Sequence, residues 1–520
     1  MSGLVSIVGA GPGDPELISE KGIDRLRKAD VIFHDKLSPN ELIEDFCDED
    51  TVVHDVGKRK GKVGPSQEEI NNRLVEASHN YDRIVRLKGG DPFLFGRGGE
   101  ETEYLADNDV DFEIIPGISS LTAVPASAGI PLTHRDHSSS VGVITGHFNR
   151  NAEDEQHNWK ALSVMETLVV LMGVTRADHI ASRLIQSGRD PDTPAAVIGW
   201  GATPRQESLI TTLGDLKEGL NNKKPYLPGI IIVGDVVNCR QSLNWFENRP
   251  LFGQKIIVTR PESQSDRLTD RLTDLGAEAM SAPTINISPI ESGLVTLAET
   301  FEQIDQFDWL IFTSRNAVRF FVETLDRSSY DLRILGSLKA ACIGPGTAER
   351  LAEIGIEADL VPDKHRAEDL AETFLSRVTG TSNVLLPRSG DARPYLPDTL
   401  EEKGHQVTEL SIYEANPPDP ETQDKLKDLL SSRSADMITF TSSSTVENLF
   451  ECLDEKTARN WLQQLDCAAI GPITAGTLKN YGVTASVVPD NYNLEAFTQA
   501  ILDHFQTLQT SDTLEKPELD

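Results

Sequence analysis

At domain sizes of roughly 100–200 residues, a chain of 520 residues is too long for a single small binding module and has room for about three to five compact units. It carries 49 Lys and Arg against 82 Asp and Glu, a formal net charge of −33. Such a surface repels nucleic-acid phosphates and anionic membranes, so neither is expected as a partner, and the surplus of acid also suits a proteome working at high salt. With 38% hydrophobic and 25% charged residues, the composition is that of a globular protein.

The chain opens on MSGLVSIVGAGPG, a strand entering a glycine turn without the basic segment of a signal peptide. No apolar run approaches the ~20 residues of a membrane span, so the protein is expected in the cytoplasm. The five cysteines, Cys47, Cys239, Cys342, Cys452 and Cys467, lie far apart without a CxxC pair and read as reduced, buried small hydrophobes. Strand-like runs (LVSIVGAG, DVIFHD, RIVRLKG, FEIIPG, VGVITG, TLVVLMGV, AAVIGWG, GIIIVGDVV) alternate with amphipathic stretches, the rhythm of α/β architecture. A break at Asn248 to Gly253 precedes a fresh strand, KIIVT, so domains are expected over 1–247 and 253–505. The polar end, 506–520, is expected to be a disordered acidic tail.

The second half repeats itself. KIIVTRPESQSDRLTDRLTDLGAEA matches NVLLPRSGDARPYLPDTLEEKGHQV, and DWLIFTSRNAVRFF matches DMITFTSSSTVENLF, pairing Arg260 with Arg388 and Thr313 with Thr441, each 128 positions apart. IGPGTAERLAEIGIEADLVPD matches IGPITAGTLKNYGVTASVVPD, pairing Gly344 with Gly471, 127 apart. Three matched segments in one order indicate an internal duplication, and hence two similar α/β lobes with a cleft between them.

Gly9-Ala10-Gly11-Pro12-Gly13-Asp14 lies between a strand and a helix but lacks GxGxxG spacing, so as a dinucleotide fingerprint it fails and a nicotinamide-dependent oxidoreductase is disfavoured. The segments VSIVGAGPGDPELISEKG, ADVIFHDKLSP, VGKRKG, VRLKGGDPFLFGRGGEE, IPGISSLTAVPASAGIPLTHRDHSSSVGVITGH, VVLMGV and LPGIIIVGDVV, in that order, resemble the uroporphyrinogen-III C-methyltransferases of the tetrapyrrole methylase family. That resemblance implies a two-lobed fold, S-adenosyl-L-methionine as methyl donor with no metal, double methylation of uroporphyrinogen III to precorrin-2, and a homodimer. It places the family's proposed base at Asp35 and its proton donor at Lys58, and it assigns Pro12, Gly89, Gly90, Asp91, Leu94, Ser119, Ser120, Met172 and Gly201 to cofactor contacts. Met172, after VVL, equally fits core packing.

Uroporphyrinogen carries eight carboxylates, and the cations of Lys58 to Lys62, with Arg86, Lys88, Arg97 and Arg135, are read as a rim that binds them. His134 and His137 have H-x-x-H spacing without a third ligand pattern, so a structural use is preferred to a metal. His34 and Lys36, where the family often has Tyr and Arg, depart from its pattern.

Residues 253–505 resemble uroporphyrinogen-III synthase through the duplication together with VTRP, FTSRNAV, IGPGTA, YEA, FTSSS and IGPITA. That family cyclises hydroxymethylbilane to uroporphyrinogen III by losing a hydroxyl and inverting the last pyrrole. Folding the linear chain correctly supplies most of what such a reaction needs. Thr313, Ser314, Arg315, Asn316, Thr441, Ser442, Ser443, Gly471, Thr474 and Ala475 are candidates to hold substrate carboxylates through hydroxyl and backbone N–H groups. Tyr413 matches the tyrosine proposed in the family to assist loss of the hydroxyl, and equally fits a buried tyrosine with a satisfied hydroxyl. Arg260 and Arg388 either bind carboxylates or cap the lobes. An alternative keeps the methyltransferase and makes the second half a tetrapyrrole-binding regulatory module.

Overall fold

The computed structural model describes residues 2–48, 50–57, 64–147, 157–221, 226–260, 262–364, 366–432 and 434–514. The chain divides into two compact units, one of residues 1–254 with 271–278 and one of 255–270 with 279–520.

The first unit holds two sheets. Strands β1 (Leu4–Gly9), β2 (Val31–His34), β3 (Val52–Asp55), β4 (Arg83–Lys88) and β5 (Phe112–Ile115) form an all-parallel sheet in the order β3-β2-β4-β1-β5. LVSIVG and RIVRLK are buried after their first residue, as expected of inner strands covered on both faces. The second sheet, in the order β6-β7-β10-β8-β9, comprises β6 (Val141–Thr145), β7 (Thr167–Leu171), β8 (Pro194–Gly199), β9 (Glu207–Thr212) and β10 (Gly229–Val233). Only β6 and β7 run parallel; β10 lies antiparallel to both β7 and β8.

The second unit also holds two sheets, and they exchange strands between the repeats. The first repeat supplies β11 (Lys255–Val258), β12 (Glu278–Ser281), β13 (Asn286–Pro289), β14 (Trp309–Phe312) and β15 (Lys339–Cys342). The second supplies β16 (Asn383–Ser389), β17 (Gln406–Asn416), β18 (Met437–Phe440) and β19 (Asp466–Ala469). The sheets run β12-β11-β18-β19 and β13-β17-β16-β14-β15. Two similar lobes are present, but neither is one repeat: each joins the opening strand pair of one repeat to the closing pair of the other, in parallel register such as Ile256 to Met437 and Trp309 to Val384.

The final helix runs Leu494–Leu514, past residue 506 where a disordered tail is expected. Phe497, Ile501 and Phe505, spaced four residues apart, bury one face of it and carry the helix forward. All five cysteines are free. Burial pushes the thiols of Cys342 and Cys467 up to about 12 and that of half-buried Cys47 up to about 11. No helix among the described residues is long and apolar enough to cross a membrane.

Candidate functional site

Ligands of parallel α/β sheets sit beyond the carboxyl ends of the strands. In the first unit three glycine segments meet there. Gly11 and Gly90 exchange two backbone hydrogen bonds, Gly90 N to Gly11 O at 2.7 Å and Gly11 N to Gly90 O at 3.3 Å, zipping the turn after β1 to the turn after β4. Gly117, after β5, closes the junction. A Cβ on Gly117 would lie 2.2 Å from the Gly90 carbonyl oxygen and 2.7 Å from Gly9 Cα, so backbone fills the space a side chain would need. Gly90 has φ +68°, and a Cβ there would meet nothing closer than Ser119 Cα at 3.9 Å, so its free side is open.

Asp91 shapes this edge, its carboxylate accepting from Gly117 N at 3.1 Å and Phe93 N at 2.9 Å. Ser119 caps the helix Ser120–Ser127 by accepting from Leu121 N. Pro12 is half-buried in the first turn. Leu94 packs on the core of the second sheet with Val124, Leu171 and Ile198.

Backbone strain gathers at the same segments. Among the described residues, left-handed φ at non-glycine positions occurs at Phe95, Arg97, Met172, Trp200, Ala202 and Asp109, and all but the last adjoin or are residues assigned to ligand contacts. Met172 is 51% exposed, which overturns its reading as core packing. At Gly201 a Cβ would lie 2.3 Å from Val124 Cγ1, so its Cβ side is filled by protein. The turn around it is pinned by buried Gln206, whose Oε1 accepts from Ala202 N at 2.9 Å and Ser127 Oγ at 2.6 Å while its Nε2 donates to Glu247 at 2.8 Å. Neither the strained positions nor Gln206 and Glu247 carried a sequence signal, because φ and tertiary hydrogen bonds leave no local pattern.

Asp35 stands just beyond β2, its amide donating to Leu87 O at 3.2 Å. Two residues on, Leu37 packs over Gly89, where a Cβ would come within 2.9 Å of Leu37 Cβ. The Asp35 side chain is 32% exposed and takes Arg86 Nη2 at 2.6 Å, with Lys88 Nζ at 3.9 Å.

The carboxylate-binding rim needs correction. Arg86 and Lys88 are buried and engaged by Asp35 and by fully buried Glu101, so they are internal counter-charges. Burial, then the neighbouring Arg86 charge, pull the Lys88 ammonium below its ordinary range. Arg97 and Arg135 remain exposed, Arg97 paired with Glu100. Lys58 and the rest of its cationic loop lie outside the described residues. The His134 and His137 rings lie 4.8 Å apart, tilted by 34°, with His134 Nδ1 accepting from Asp136 N.

In the second unit the candidate hydroxyls stand at helix N-termini. Ser314, following Thr313, caps Arg315–Asp326 by accepting from Ala317 N at 3.0 Å. Its counterpart Ser442, following Thr441, caps Ser443–Cys452 in a reciprocal capping box with Thr445. Ser443 Oγ accepts from Thr477 Oγ1 at 2.9 Å. Asn316 and Thr474 are buried, and Thr347, the counterpart of Thr474, is equally buried, so a buried hydroxyl at that position is common to both repeats. Arg388 is buried too, bonded to Glu409 at 2.9 Å and to Arg393 O at 2.6 Å, which favours the capping role over carboxylate binding. Arg260 is half-buried and also engaged.

Tyr413 breaks the symmetry. Its hydroxyl lies 2.7 Å from Ser314 Oγ and its ring stacks on Phe320 at 5.6 Å, whereas 128 positions earlier the chain has Ile285. Burial raises the phenol above its ordinary value against the opposing bond to Ser314, so it is a neutral proton donor at physiological pH.

The chain thus joins an α/β unit whose glycine turns pack closely beyond its parallel strands to a strand-exchanged double lobe, two units of different architecture. The model of the Tetrapyrrole (Corrin/Porphyrin) Methylases matches residues 4–217, and that of Uroporphyrinogen-III synthase HemD matches residues 266–499. The porphyrin biosynthesis protein HemD of Ruminiclostridium josui is 34% identical over 501 residues, 96% of this chain and 98% of that protein. The uroporphyrinogen-III C-methyltransferase of Bacillus subtilis strain 168 is 44% identical over 47% of this chain and 95% of its own. That of Methanocaldococcus jannaschii is 45% identical over 46% of this chain and 100% of its own. The chain belongs to the family of fused uroporphyrinogen-III C-methyltransferase and uroporphyrinogen-III synthase proteins of porphyrin biosynthesis.

Proposed function

We propose that the first half methylates uroporphyrinogen III twice with S-adenosyl-L-methionine, giving precorrin-2, and that the second half supplies that uroporphyrinogen III by cyclising hydroxymethylbilane. The observation that carries the reading is Asp35, a half-exposed carboxylate whose loop packs directly on the Gly89–Gly90–Asp91 turn. The edge fits the cofactor: Gly90 presents backbone with open space on its Cβ side, and Ile118, Met172 and Trp200 are apolar side chains left exposed at the ends of strands or in the loops that follow them.

When bound, the cofactor supplies an already activated sulfonium methyl. The protein must then align a displacement and move protons. Asp91 and the three-glycine junction hold the turn rigid, and Gln206 fixes the Ala202 amide on the second sheet. Pyrrole carbons of a reduced tetrapyrrole are enamine-like nucleophiles, and Asp35 takes the proton the macrocycle sheds after its carbon is alkylated. Among the described residues of that rim, Arg97 and Arg135 are exposed and can meet substrate carboxylates. In the second half, the Tyr413 hydroxyl protonates the departing hydroxyl of hydroxymethylbilane, with Ser314 holding it in place. The synthase family match over 266–499 supports this reading above a regulatory module.

Asp35→Asn removes the proton acceptor and keeps the shape. Methylation of supplied uroporphyrinogen III is expected to be nearly abolished, with cofactor affinity by calorimetry close to wild type; loss of cofactor binding as well would make Asp35 structural.

A further inference from the structure

The motif FGRGGEE places two glutamates side by side at the start of the helix Gly98–Asp107, and their fates differ. Glu100 is exposed and pairs with Arg97. Glu101 is 0% exposed. All the described donors to Glu101 reach one oxygen: Oε1 accepts from Lys88 Nζ at 2.8 Å, Gln67 Nε2 at 3.0 Å, and Arg86 Nε and Nη2 at 3.3 Å each, while Oε2 is buried with no hydrogen-bond partner. A buried carboxylate survives ionised only with counter-charges, and the two it has are the same two cations that reach Asp35. Arg86, Lys88, Glu101 and Asp35 thus form a quartet with two charges of each sign.

We propose that Glu101 is a positioning residue for methyl transfer: it shares Arg86 and Lys88 with Asp35, and by drawing on both cations keeps Asp35 basic enough to accept the macrocycle proton. The proposal rests on Asp35 being the base. Without the Glu101 charge, two buried cations would turn on Asp35 alone and stabilise its carboxylate. Among the described residues, the other charged or titratable groups near it lie on its own segment, on β3 and on two helices. On its own segment stand His34 and Lys36. On β3, His54 stacks on Phe33, and Asp55 Oδ1 takes the Gly57 amide at 2.8 Å. The helix Gln67–Asn80 contributes neutral Gln67 and Asn71, themselves hydrogen-bonded at 3.0 Å. Glu100 and Arg97 cancel each other.

The test is the acid limb of kcat/KM for methylation of uroporphyrinogen III by the full chain at saturating cofactor, where a base must be deprotonated and the rate rises with pH. The substrate's own ionisations are common to every variant. Glu101→Gln leaves the cations uncompensated, so the limb moves to lower pH by about one unit, and the plateau falls by up to about tenfold as the base weakens. Lys88→Met removes a cation, so the limb moves to higher pH. Glu101→Gln combined with Lys88→Met returns it close to wild type, and Glu101→Asp, which keeps the charge, leaves it in place. Should Glu101→Gln not fold, the upward shift of Lys88→Met and its cancellation in the double variant decide the matter. Limbs that stay put or move in one direction in both single variants, with Asp35→Asn inactive, overturn the role of Glu101 and leave Asp35 as base. Wild-type turnover by Asp35→Asn removes the base reading itself.

Discussion

Replacing Gly117 by alanine inserts one methyl group into the junction of the three glycine turns. The new Cβ would sit 2.2 Å from the Gly90 carbonyl oxygen, about 1.2 Å inside ordinary contact, and 2.7 Å from Gly9 Cα. Neither neighbour is free to retreat: the Gly90 carbonyl accepts from Gly11 N at 3.3 Å, and Gly117 itself is tied to Asp91 at 3.1 Å. Overpacking of this kind costs about 1–3 kcal/mol, which is roughly 5- to 150-fold in an equilibrium constant. Because the strain falls on the turn proposed to face S-adenosyl-L-methionine, it is expected mainly as weakened cofactor binding by calorimetry, accompanied by a lowered melting temperature. Gly99→Ala is the control, as a Cβ there meets nothing within 4 Å and alanine favours the helix. Binding by Gly117→Ala within twofold of wild type at an unchanged melting temperature would refute the close-approach argument.

Tyr413→Phe keeps the stack on Phe320 and removes the proton donor, so hydroxymethylbilane turnover should fall by roughly 10²-fold while stability drops by only ~1 kcal/mol. Isomer analysis should then show the spontaneous type I product overtaking type III, and an unchanged rate would return Tyr413 to a structural role. Glu113 on β5 is held down to about 2 by Arg25 first, with Lys21 and Ser6 adding to it. A depressed carboxyl stabilises the fold above its ordinary value near 4.5 and loses that contribution as pH falls towards 2. Glu113→Gln should therefore cost ~1 kcal/mol at neutral pH, with the gap in melting temperature closing through that window; a constant gap would contradict the assignment.

The alternation of strands ending in glycine or aspartate made the α/β architecture legible, and the glycine pairs marked the turns beyond β1 and β4 where backbone packs closely on backbone. The duplication was equally plain. Its strand exchange was not, since similarity between β11 and β16 says that two copies exist and nothing about which distant strands pair. Arg86 and Lys88 read as a surface rim because a strand-end RLK looks solvated; their burial depends on Glu101, contributed by a helix whose glutamate pair gives no hint of which member turns inward. Met172 fitted cofactor contact and core packing equally, because its exposure depends on the left-handed backbone of the turn after β7. The polar composition after residue 506 concealed the last turns of a helix anchored by Phe497, Ile501 and Phe505.

On this reading one chain makes uroporphyrinogen III and then methylates it. Mass spectrometry and isomer analysis of the products formed by the full chain from hydroxymethylbilane and S-adenosyl-L-methionine test it directly. The dimethylated type III product, precorrin-2, is expected with little free uroporphyrinogen III, since tethering holds the two activities at about millimolar effective concentration. Formation of only the spontaneous type I isomer by the folded chain would contradict the synthase half, and unmethylated type III alone would contradict the methyltransferase half.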